Sequence, residues 1–217
     1  MINIMLNMIK KYKWSLLFGS LLSLSPMMIG LFLWNKLPAQ IPTHFSTGNV
    51  PDGWSDKYTT VFGLTGFLFA MMWFCFLITS ADPRRKNISP KLIRSLIWFM
   101  AVLSPVVICS SYAIALGIHV NISMIVSLII GVMLMVIGNY LTKVKQNYST
   151  GIRIPWTLFS EENWNRTHRV SSRIFLLAGL AMIINAFVDS DVILFIIIMA
   201  LLTIPYGYSF FLYKKGI

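Results

Sequence analysis

The sequence predicts an all-α integral membrane protein with six transmembrane helices, both termini in the cytoplasm, one ordered outer loop and one ordered inner loop. Two observations support this fold class. Of the 217 residues, 57% are hydrophobic and only 12% are charged, whereas soluble domains carry about 25% charged residues. The apolar residues also form long uncharged blocks, which is typical of helices that cross a bilayer.

The helices follow from these blocks in chain order. A span needs about 20 apolar residues, and most of the blocks hold one span each. The third block has 48 uncharged residues, enough for two spans with a turn near residues 117–121. The blocks are 14–35, 58–81, 95–142, 174–188 and 192–213.

The fifth helix is short by this measure. Its 15 uncharged residues cover roughly 22 Å, less than the hydrocarbon core of about 30 Å. We expect Arg173 to extend towards the surface, the helix to begin among residues 170–172, or the bilayer to thin locally. The block is kept as a span because the sixth helix would otherwise end on the wrong side.

Orientation follows from the basic residues. With the amino terminus inside, 16 of the 18 Lys and Arg residues fall in cytoplasmic segments, and the outer loops keep only Lys36 and Lys57. The net charge of +11 is therefore a topology signal. It predicts membrane lipids as partners and no direct nucleic-acid partner.

We divide the chain into three segments. Residues 1–81 hold the first two helices and the outer loop, residues 82–141 hold helices three and four, and residues 142–217 hold the inner motif and the last two helices. A cleaved signal peptide is the alternative for the first block. Its apolar stretch is longer than the usual roughly 7–15 residues, so we expect a retained first helix.

The outer loop between residues 37 and 57 is not an ordinary connector. Its three prolines disfavour a helix, and Gly48-Asn49 and Asp52-Gly53 are residues typical of turns. We expect an ordered cap in which Phe45 and Trp54 reach the membrane interface. The side chains expected to face water are His44, Asp52, Asp56 and Lys57.

Two interpretations of this cap stay open: a rigid hairpin that protects the helix ends, and a recognition surface or ion site. The outer carboxylates together with His44 and His119 are groups that bind divalent cations. They lack the close ligand spacing of a metal site. We therefore predict no metal and no cofactor.

The inner loop before the fifth helix also contains residues that predict an ordered structure. Gly151 permits a sharp bend, and Ser160 is a candidate N-cap for a short amphipathic helix over residues 161–171 that runs into the fifth span. Glu162 and Arg166 are spaced for an ion pair. The arginines of this helix are expected to contact anionic lipid headgroups, or the loop binds a cytoplasmic partner. The residues expected to contact that partner are Arg153, Trp156, Trp164 and His168.

The predicted helices lack the charged residues of coupled transporters, and the chain lacks the motifs of enzymes and zinc sites. No Asp, Glu, Lys, Arg or His lies in the middle of a predicted helix, which argues against a coupled transporter. Cys75 and Cys109 stand alone, and no catalytic motif is present. Gly131 and Gly138 indicate close helix packing on the fourth helix. We predict that the chain is not an enzyme.

The two loops carry long motifs. The outer motif is Leu37-Pro38-x-x-Ile41-Pro42-x-His44-Phe45, followed by Gly48 and by Asp52-Gly53-Trp54-x-x-Lys57. The inner motif is Gly138-Asn139, Asn147, Gly151-Ile152-Arg153-x-Pro155-Trp156-Thr157-Leu158, Trp164 and Thr167-His168-Arg169. Together they resemble the SdpI-type family of bacterial membrane proteins over residues 37 to 175. Ile154 departs from the family, which often has Thr there.

The resemblance implies a multi-pass protein of the bacterial plasma membrane that confers immunity to a secreted, membrane-active peptide toxin. It also implies a cytoplasmic transcriptional repressor as a tethered partner. The implied toxin-binding residues are Pro42, His44, Gly48, Asp52, Trp54 and Lys57. The implied inner-face residues are Asn139, Asn147, Gly151, Arg153, Pro155, Trp156, Thr157, Trp164, Thr167, His168 and Arg169. The alternative function is a transporter or exporter of a peptide or lipid-like compound.

Overall fold

The computed structural model describes residues 2–46 and 48–217, and Met1 and Thr47 lie outside the described residues. Seven α-helices, one β-hairpin, one π-helical segment and one 3-10 turn at Arg85–Asn87 make up the regular structure of this part. In chain order the α-helices and strands are α1 (Ile2–Phe32), β1 (Gln40–Ser46), β2 (Val50–Asp56), α2 (Thr65–Ala81), α3 (Pro90–Ala115), α4 (Ile122–Leu141), α5 (Pro155–Phe159), α6 (Glu161–Val188) and α7 (Asp191–Lys214). The π-helical segment, Thr59–Leu64, leads into α2.

Six helical segments of the described chain are long and apolar enough to cross a membrane, which confirms the predicted number of spans. The turn expected near residues 117–121 is also confirmed, because α3 ends at Ala115 and α4 begins at Ile122. The cytoplasmic placement of both termini stays a prediction. The six segments are Asn3–Phe32, Thr59–Ala81, Pro90–Ala115, Ile122–Leu141, Glu161–Val188 and Asp191–Lys214.

The fifth span continues from the amphipathic segment before it, as predicted. The expected start among residues 170–172 is wrong, because these residues lie inside α6, which begins at Glu161. Ser160 caps the helix as predicted: its hydroxyl oxygen accepts a hydrogen bond from the Asn163 amide at 3.1 Å. The amphipathic segment and the span are one helix of 28 residues, about 42 Å long. The uncharged stretch between Arg173 and Asp189 is still 15 residues, so local thinning of the bilayer and an Arg173 side chain that extends towards the surface stay predictions.

The chain forms two compact units. Unit 1 comprises Met1–Leu77 and Arg94–Val126, and unit 2 comprises Ile78–Ile93 and Ser127–Ile217.

The core of unit 1 joins α1, the hairpin and α3. Its buried residues are Leu37, Ile41, Val61, Ile108 and Tyr112. Gly30 permits the close approach of α1, because a Cβ atom at this position would lie 2.7 Å from the Tyr112 hydroxyl oxygen and 2.8 Å from a Val61 methyl carbon.

The core of unit 2 depends on close packing of α4 against α6. A Cβ atom at Gly131 would lie 2.9 Å from the Gly179 carbonyl oxygen, and one at Gly138 would lie 3.0 Å from the Ser172 carbonyl oxygen. The Ser172 hydroxyl also donates a hydrogen bond to the Gly138 carbonyl at 2.6 Å. The predicted close packing at Gly131 and Gly138 is therefore confirmed. Beside it lies a buried cluster of Leu134, Ala178, Met182 and Ile197.

Candidate functional site

The first candidate site is the β-hairpin of unit 1, in which β1 and β2 pair antiparallel. Gly48 and Asn49 form its turn with φ of 78° and 62°, as predicted. The turn expected at Asp52-Gly53 is wrong, because both residues lie within β2 and Gly53 pairs with His44. Glycine is needed there for a different reason: a Cβ atom would lie 2.8 Å from the His44 Cβ.

The hairpin is anchored at its turn. The Asn49 side chain donates to the Val120 carbonyl at 2.8 Å and accepts from the Ile122 amide at 2.7 Å. It thus caps the first turn of α4. At the other end of the hairpin, Ile41 is fully buried and Pro42 is buried beside it. Asn49 was not among the predicted site residues, although Asn in a turn at positive φ is a recognisable signal.

The base of the hairpin is tied to two further spans. The Lys57 ammonium donates to the carbonyl oxygens of Trp34 at 2.9 Å and Leu37 at 3.2 Å, just beyond the end of α1. Lys57 is half-buried, so the prediction that it faces water is wrong. Asp56 accepts from the Thr59 hydroxyl and amide, and these bonds hold the pKa of its carboxyl below the ordinary value. The hairpin is therefore fixed to the end of α1 and to the start of the second span.

The exposed face of the hairpin combines charge with apolar surface. The imidazole Nδ1 of His44 lies 2.6 Å from a carboxylate oxygen of Asp52, and the two side chains are 75% and 43% exposed. Val50 and Trp54 are each 56% exposed and flank Asp52 on the same side of β2. Among the described residues there is no group of three or more metal-binding side chains. The face offers an aromatic ring, an aliphatic side chain and an imidazole–carboxylate pair.

The second candidate site lies in unit 2, where residues 82–89 and 142–154 form what we call the loop cluster. Asn147 is fully buried and organises its longer segment. Its side-chain oxygen accepts from the amides of Ser149 at 3.0 Å and Thr150 at 2.7 Å, and its amide nitrogen donates to the Lys145 carbonyl at 2.9 Å. Asn147 thus fixes the bend that leads to Gly151.

Gly151 of the loop cluster packs directly against Trp164 and His168 of α6. Gly151 has φ of +100°, and a Cβ atom there would lie 2.5 Å from the His168 Nε2. The rings of Trp164 and His168 are stacked with centroids 4.0 Å apart. Nε2 of His168 accepts from the Ile152 amide at 3.0 Å, while Nδ1–H donates to the Trp164 carbonyl at 2.8 Å. These partners assign a neutral imidazole with its proton on Nδ1.

The segment around α5 is held by short hydrogen bonds and by aromatic packing. The Thr157 hydroxyl accepts from the Ile154 amide at 3.1 Å and lies 2.8 Å from the Ile152 carbonyl, to which it donates. Pro155 is exposed at the first position of α5, where its missing N–H costs nothing. Trp156 packs against Tyr206, Phe210 and Tyr213 of α7, with ring centroids 5.0–5.7 Å apart.

A buried polar group joins α6 to α7. The Asn163 side chain donates to the Ser209 carbonyl at 3.0 Å and accepts from the Ser209 hydroxyl at 2.6 Å. Thr167 donates to the same Asn163 oxygen at 3.1 Å. Asn163 and Ser209 were not predicted, because a polar residue inside an apolar helix does not reveal its partner.

The shorter segment of the loop cluster is held by Asp82, which is 4% exposed. Its carboxylate accepts from the amides of Arg84 at 2.7 Å and Tyr148 at 2.8 Å, and from the Ser149 hydroxyl at 2.6 Å. Gln146 adds a second link, since its side chain accepts from Arg84 and donates to the Thr157 carbonyl at 2.8 Å. The sequence had marked Asp82 only as the end of an uncharged block.

Five of the eleven predicted inner-face residues are exposed, and Gly151 and Pro155 are two of them. Arg153 is exposed and donates to the Tyr148 carbonyl at 2.6 Å. Arg169 is exposed on α6, and Asn139 is exposed on α4 outside the loop cluster. The predicted ion pair between Glu162 and Arg166 is confirmed, although an exposed pair of this kind contributes little to stability.

About half of the inner motif therefore supports the fold of the site instead of lining its surface: the buried residues are Asn147, Thr157, Trp164, Thr167 and His168. Trp164 and His168 are buried, so they cannot contact a partner in this conformation as the sequence had suggested. Of the four residues predicted to contact a partner, Arg153 is exposed and Trp156 is half-buried.

Two protein-family models match parts of the chain that include the hairpin and most of the longer segment of the loop cluster. Residues 143–209 match the model of the SdpI/YfhL protein family, and residues 21–69 match that of a domain of unknown function (DUF1648). The immunity protein SdpI of Bacillus subtilis is 28% identical over 191 residues, which cover 87% of this chain and 90% of that protein. The resemblance to SdpI-type membrane proteins is confirmed. With its six spans, the chain is a multi-pass bacterial membrane protein. No solved structure matches it.

Proposed function

We propose that this chain is a membrane immunity protein that protects its cell from a secreted, membrane-active peptide toxin by binding the peptide at the hairpin. The observation that carries the proposal is the exposed face of Val50, Asp52, Trp54 and His44 on an anchored hairpin. The similarity to an immunity protein over most of both chains supports the same function.

The chemistry of the face suits such a peptide. A membrane-active peptide presents apolar side chains together with polar or cationic groups. Trp54 offers a large apolar ring that remains exposed, the type of residue that dominates binding energy in many interfaces. The Asp52 carboxylate beside it offers an acceptor. Because the hairpin is already fixed at its turn and base, little conformational entropy is lost on binding.

The residues that anchor the hairpin also contact the membrane spans of unit 1, so a change in the hairpin on binding can alter those spans. Asn49 contacts the start of α4, Lys57 contacts the carbonyls beyond α1, and Asp56 contacts the start of the second span. A peptide that binds one arrangement of the hairpin better shifts these contacts, by as much as its differential affinity allows. Protection by this mechanism needs binding and no chemical turnover.

A repressor-type partner, which the resemblance also implies, would dock on the exposed residues of the inner motif. Arg153 and Arg169 are the exposed basic side chains of that motif. Their replacement should reduce membrane recruitment of a tagged repressor without reducing survival in the toxin. Replacement of Trp164 or His168 should instead lower the amount of folded protein, because both residues are buried.

Survival of toxin-sensitive bacteria tests the proposed function. Cells expressing this chain should survive a small secreted peptide encoded beside its gene at concentrations that kill cells carrying an empty vector. Trp54→Ala should reduce survival at unchanged membrane abundance. Trp14→Ala is the matched control, because Trp14 is 61% exposed on α1, about 18 residues before its end and so roughly 27 Å from it.

Two results would contradict the proposal. If expression never raises survival against such a peptide, immunity is wrong. If labelled peptide is instead expelled from cells only while the membrane is energised, the chain is an exporter. Loss of both survival and abundance in Trp54→Ala would assign the hairpin a structural role alone.

A further inference from the structure

Tyr148 lies at the surface of the loop cluster and is held at three points by charged residues. Its amide donates to the Asp82 carboxylate at 2.8 Å, and its carbonyl accepts from Arg153 Nη1 at 2.6 Å. The guanidinium carbon of Arg84 lies 4.9 Å from the centre of its ring. The residue itself is still 47% exposed. Two guanidinium groups from different loops are thereby fixed on one exposed tyrosine.

Among the described residues, no carboxylate oxygen lies within ion-pair distance of either guanidinium group. Asp82 forms no ion pair with either arginine side chain; its oxygens accept from two backbone amides and from the Ser149 hydroxyl.

Both arginines also keep most of their donors. A guanidinium group has five N–H donors. Arg84 gives one to the Gln146 side chain, and Arg153 gives one to the Tyr148 carbonyl. The donors that remain are held in a fixed plane, which suits an anion with several acceptor oxygens.

We propose that Arg84 and Arg153 bind the phosphate of an anionic phospholipid headgroup beside Tyr148. This inference is independent of toxin immunity, and at Arg153 it competes with the docking of a repressor-type partner described above. A guanidinium pair recognises phosphate oxygens by charge-assisted hydrogen bonds. The stacking of Arg84 on Tyr148 fixes one partner before the ligand arrives, which reduces the entropy lost on binding.

The position of the two loops at the ends of membrane spans indicates that the phosphate belongs to a lipid headgroup. Asp82 directly follows Ala81, the last residue of α2, and the longer loop directly follows Leu141, the last residue of α4. Both helices are spans, so the site lies where a span leaves the hydrocarbon core and lipid phosphates are concentrated. A half-exposed tyrosine is typical of the same level.

Native mass spectrometry of the purified full-length chain in detergent tests the site. Phosphatidylglycerol should bind more tightly than phosphatidylcholine, whose choline cation offsets the phosphate charge. Arg84→Gln and Arg153→Gln should each weaken phosphatidylglycerol binding roughly tenfold, the scale of one charge-assisted hydrogen bond. Arg84→Lys should weaken it less, because it keeps the charge and loses only the planar fork.

Lys86→Gln is the matched control. Lys86 is exposed in the same loop as Arg84 and should bind lipid like the unmodified chain after this change. The thermal unfolding midpoint of each variant without lipid shows whether it is folded. If Arg84→Gln does not fold, Arg153→Gln still tests the site, because Arg153 is exposed.

Three outcomes would overturn the proposal. Equal losses in Lys86→Gln and the arginine variants would show a general charge effect. Inorganic phosphate that stabilises the chain as much as the lipid, with the same dependence on both arginines, would replace the lipid by a free anion. Displacement of the lipid by a polyglutamate peptide, with tighter binding of the peptide, would assign the two arginines to an acidic protein partner.

Discussion

At the scale of single residues, the inner motif is explained by what its side chains contact. Gly151, Trp164 and His168 meet within one tight contact, in which both imidazole nitrogens have backbone partners. A buried imidazole with both nitrogens paired is stabilising, whereas a lost partner leaves a buried polar group unsatisfied. The motif therefore fixes the path of the loop, and the residues on its surface are free to act in binding.

Gly151→Ala tests this contact. The φ of +100° and the 2.5 Å approach to His168 Nε2 both disfavour a side chain, so the unfolding midpoint in detergent should fall. Gly117→Ala is the control, because Gly117 has φ of +81° but no atom within 4 Å of its Cβ position. It should cost only the backbone strain, about 1 kcal/mol. Equal losses in the two variants would contradict the contact.

The sequence alone could predict contacts between neighbours within one helix, but it could not predict which side chains are exposed. Ser160 as an N-cap and Glu162–Arg166 as an ion pair depend on neighbours within one helix, and both predictions are confirmed. Whether Trp164 is exposed to solvent depends on whether residues 144–152 pack against it. Its indole donates to the Val144 carbonyl at 2.8 Å, a contact across 20 residues that no local pattern reveals.

At the scale of elements, the hairpin depends on an anchor at each end. Its turn is held by Asn49 on α4, and its base is held by Lys57 and Asp56. A two-stranded hairpin in isolation is at best marginally stable. These contacts, together with the burial of Ile41, explain how two short strands present an ordered face.

Asn49→Ala should loosen the hairpin without unfolding the spans. The change removes the bonds to the Val120 carbonyl and the Ile122 amide, so amide hydrogen exchange should accelerate across residues 40–56. Asn121→Ala is the control, because Asn121 caps α4 through the Met124 amide at 2.9 Å and has no bond to the hairpin there. Unchanged exchange in Asn49→Ala, or equal acceleration in both variants, would contradict the anchor.

Charges at the ends of the apolar blocks predicted the carboxyl-terminal limits of the helices to within a few residues. They did not predict the starts of α1 and α3, which begin before their blocks at Ile2 and Pro90. The start of α6 at Glu161 was predictable from its N-cap and amphipathic pattern, although Arg166, Arg169 and Arg173 interrupt its hydropathy while they lie exposed on the helix surface. The ordered outer loop was foreseeable from its prolines and turn residues. Its register was not, since Gly53 serves the close approach of His44 instead of a turn.

At the scale of the whole molecule, the orientation depends on the distribution of Lys and Arg. The 16-to-2 division of basic residues predicts that the hairpin is outside and the loop cluster inside. The number of spans fits this arrangement, because an even number returns the chain to its starting side. Contacts between distant segments, such as Asp82 with Tyr148 and Ser149, could not be predicted from one sequence.

Cysteine labelling of intact cells tests the orientation. In a background that lacks Cys75 and Cys109, a membrane-impermeant reagent should modify Val50→Cys and spare Asn165→Cys. Both positions are exposed, so accessibility to solvent does not separate them. After the cells are opened, both should react. Labelling of Asn165→Cys in intact cells would invert the topology.

Photo-crosslinking from the hairpin tests the central claim most directly. A photo-reactive residue at Val50, on the exposed face beside Asp52, should crosslink to the toxin peptide in cells that survive it. Unlabelled peptide should abolish the crosslink. The same residue at Trp14 should give none. A survivor population in which position 50 never crosslinks, or crosslinks no more than position 14, would contradict toxin binding at the hairpin.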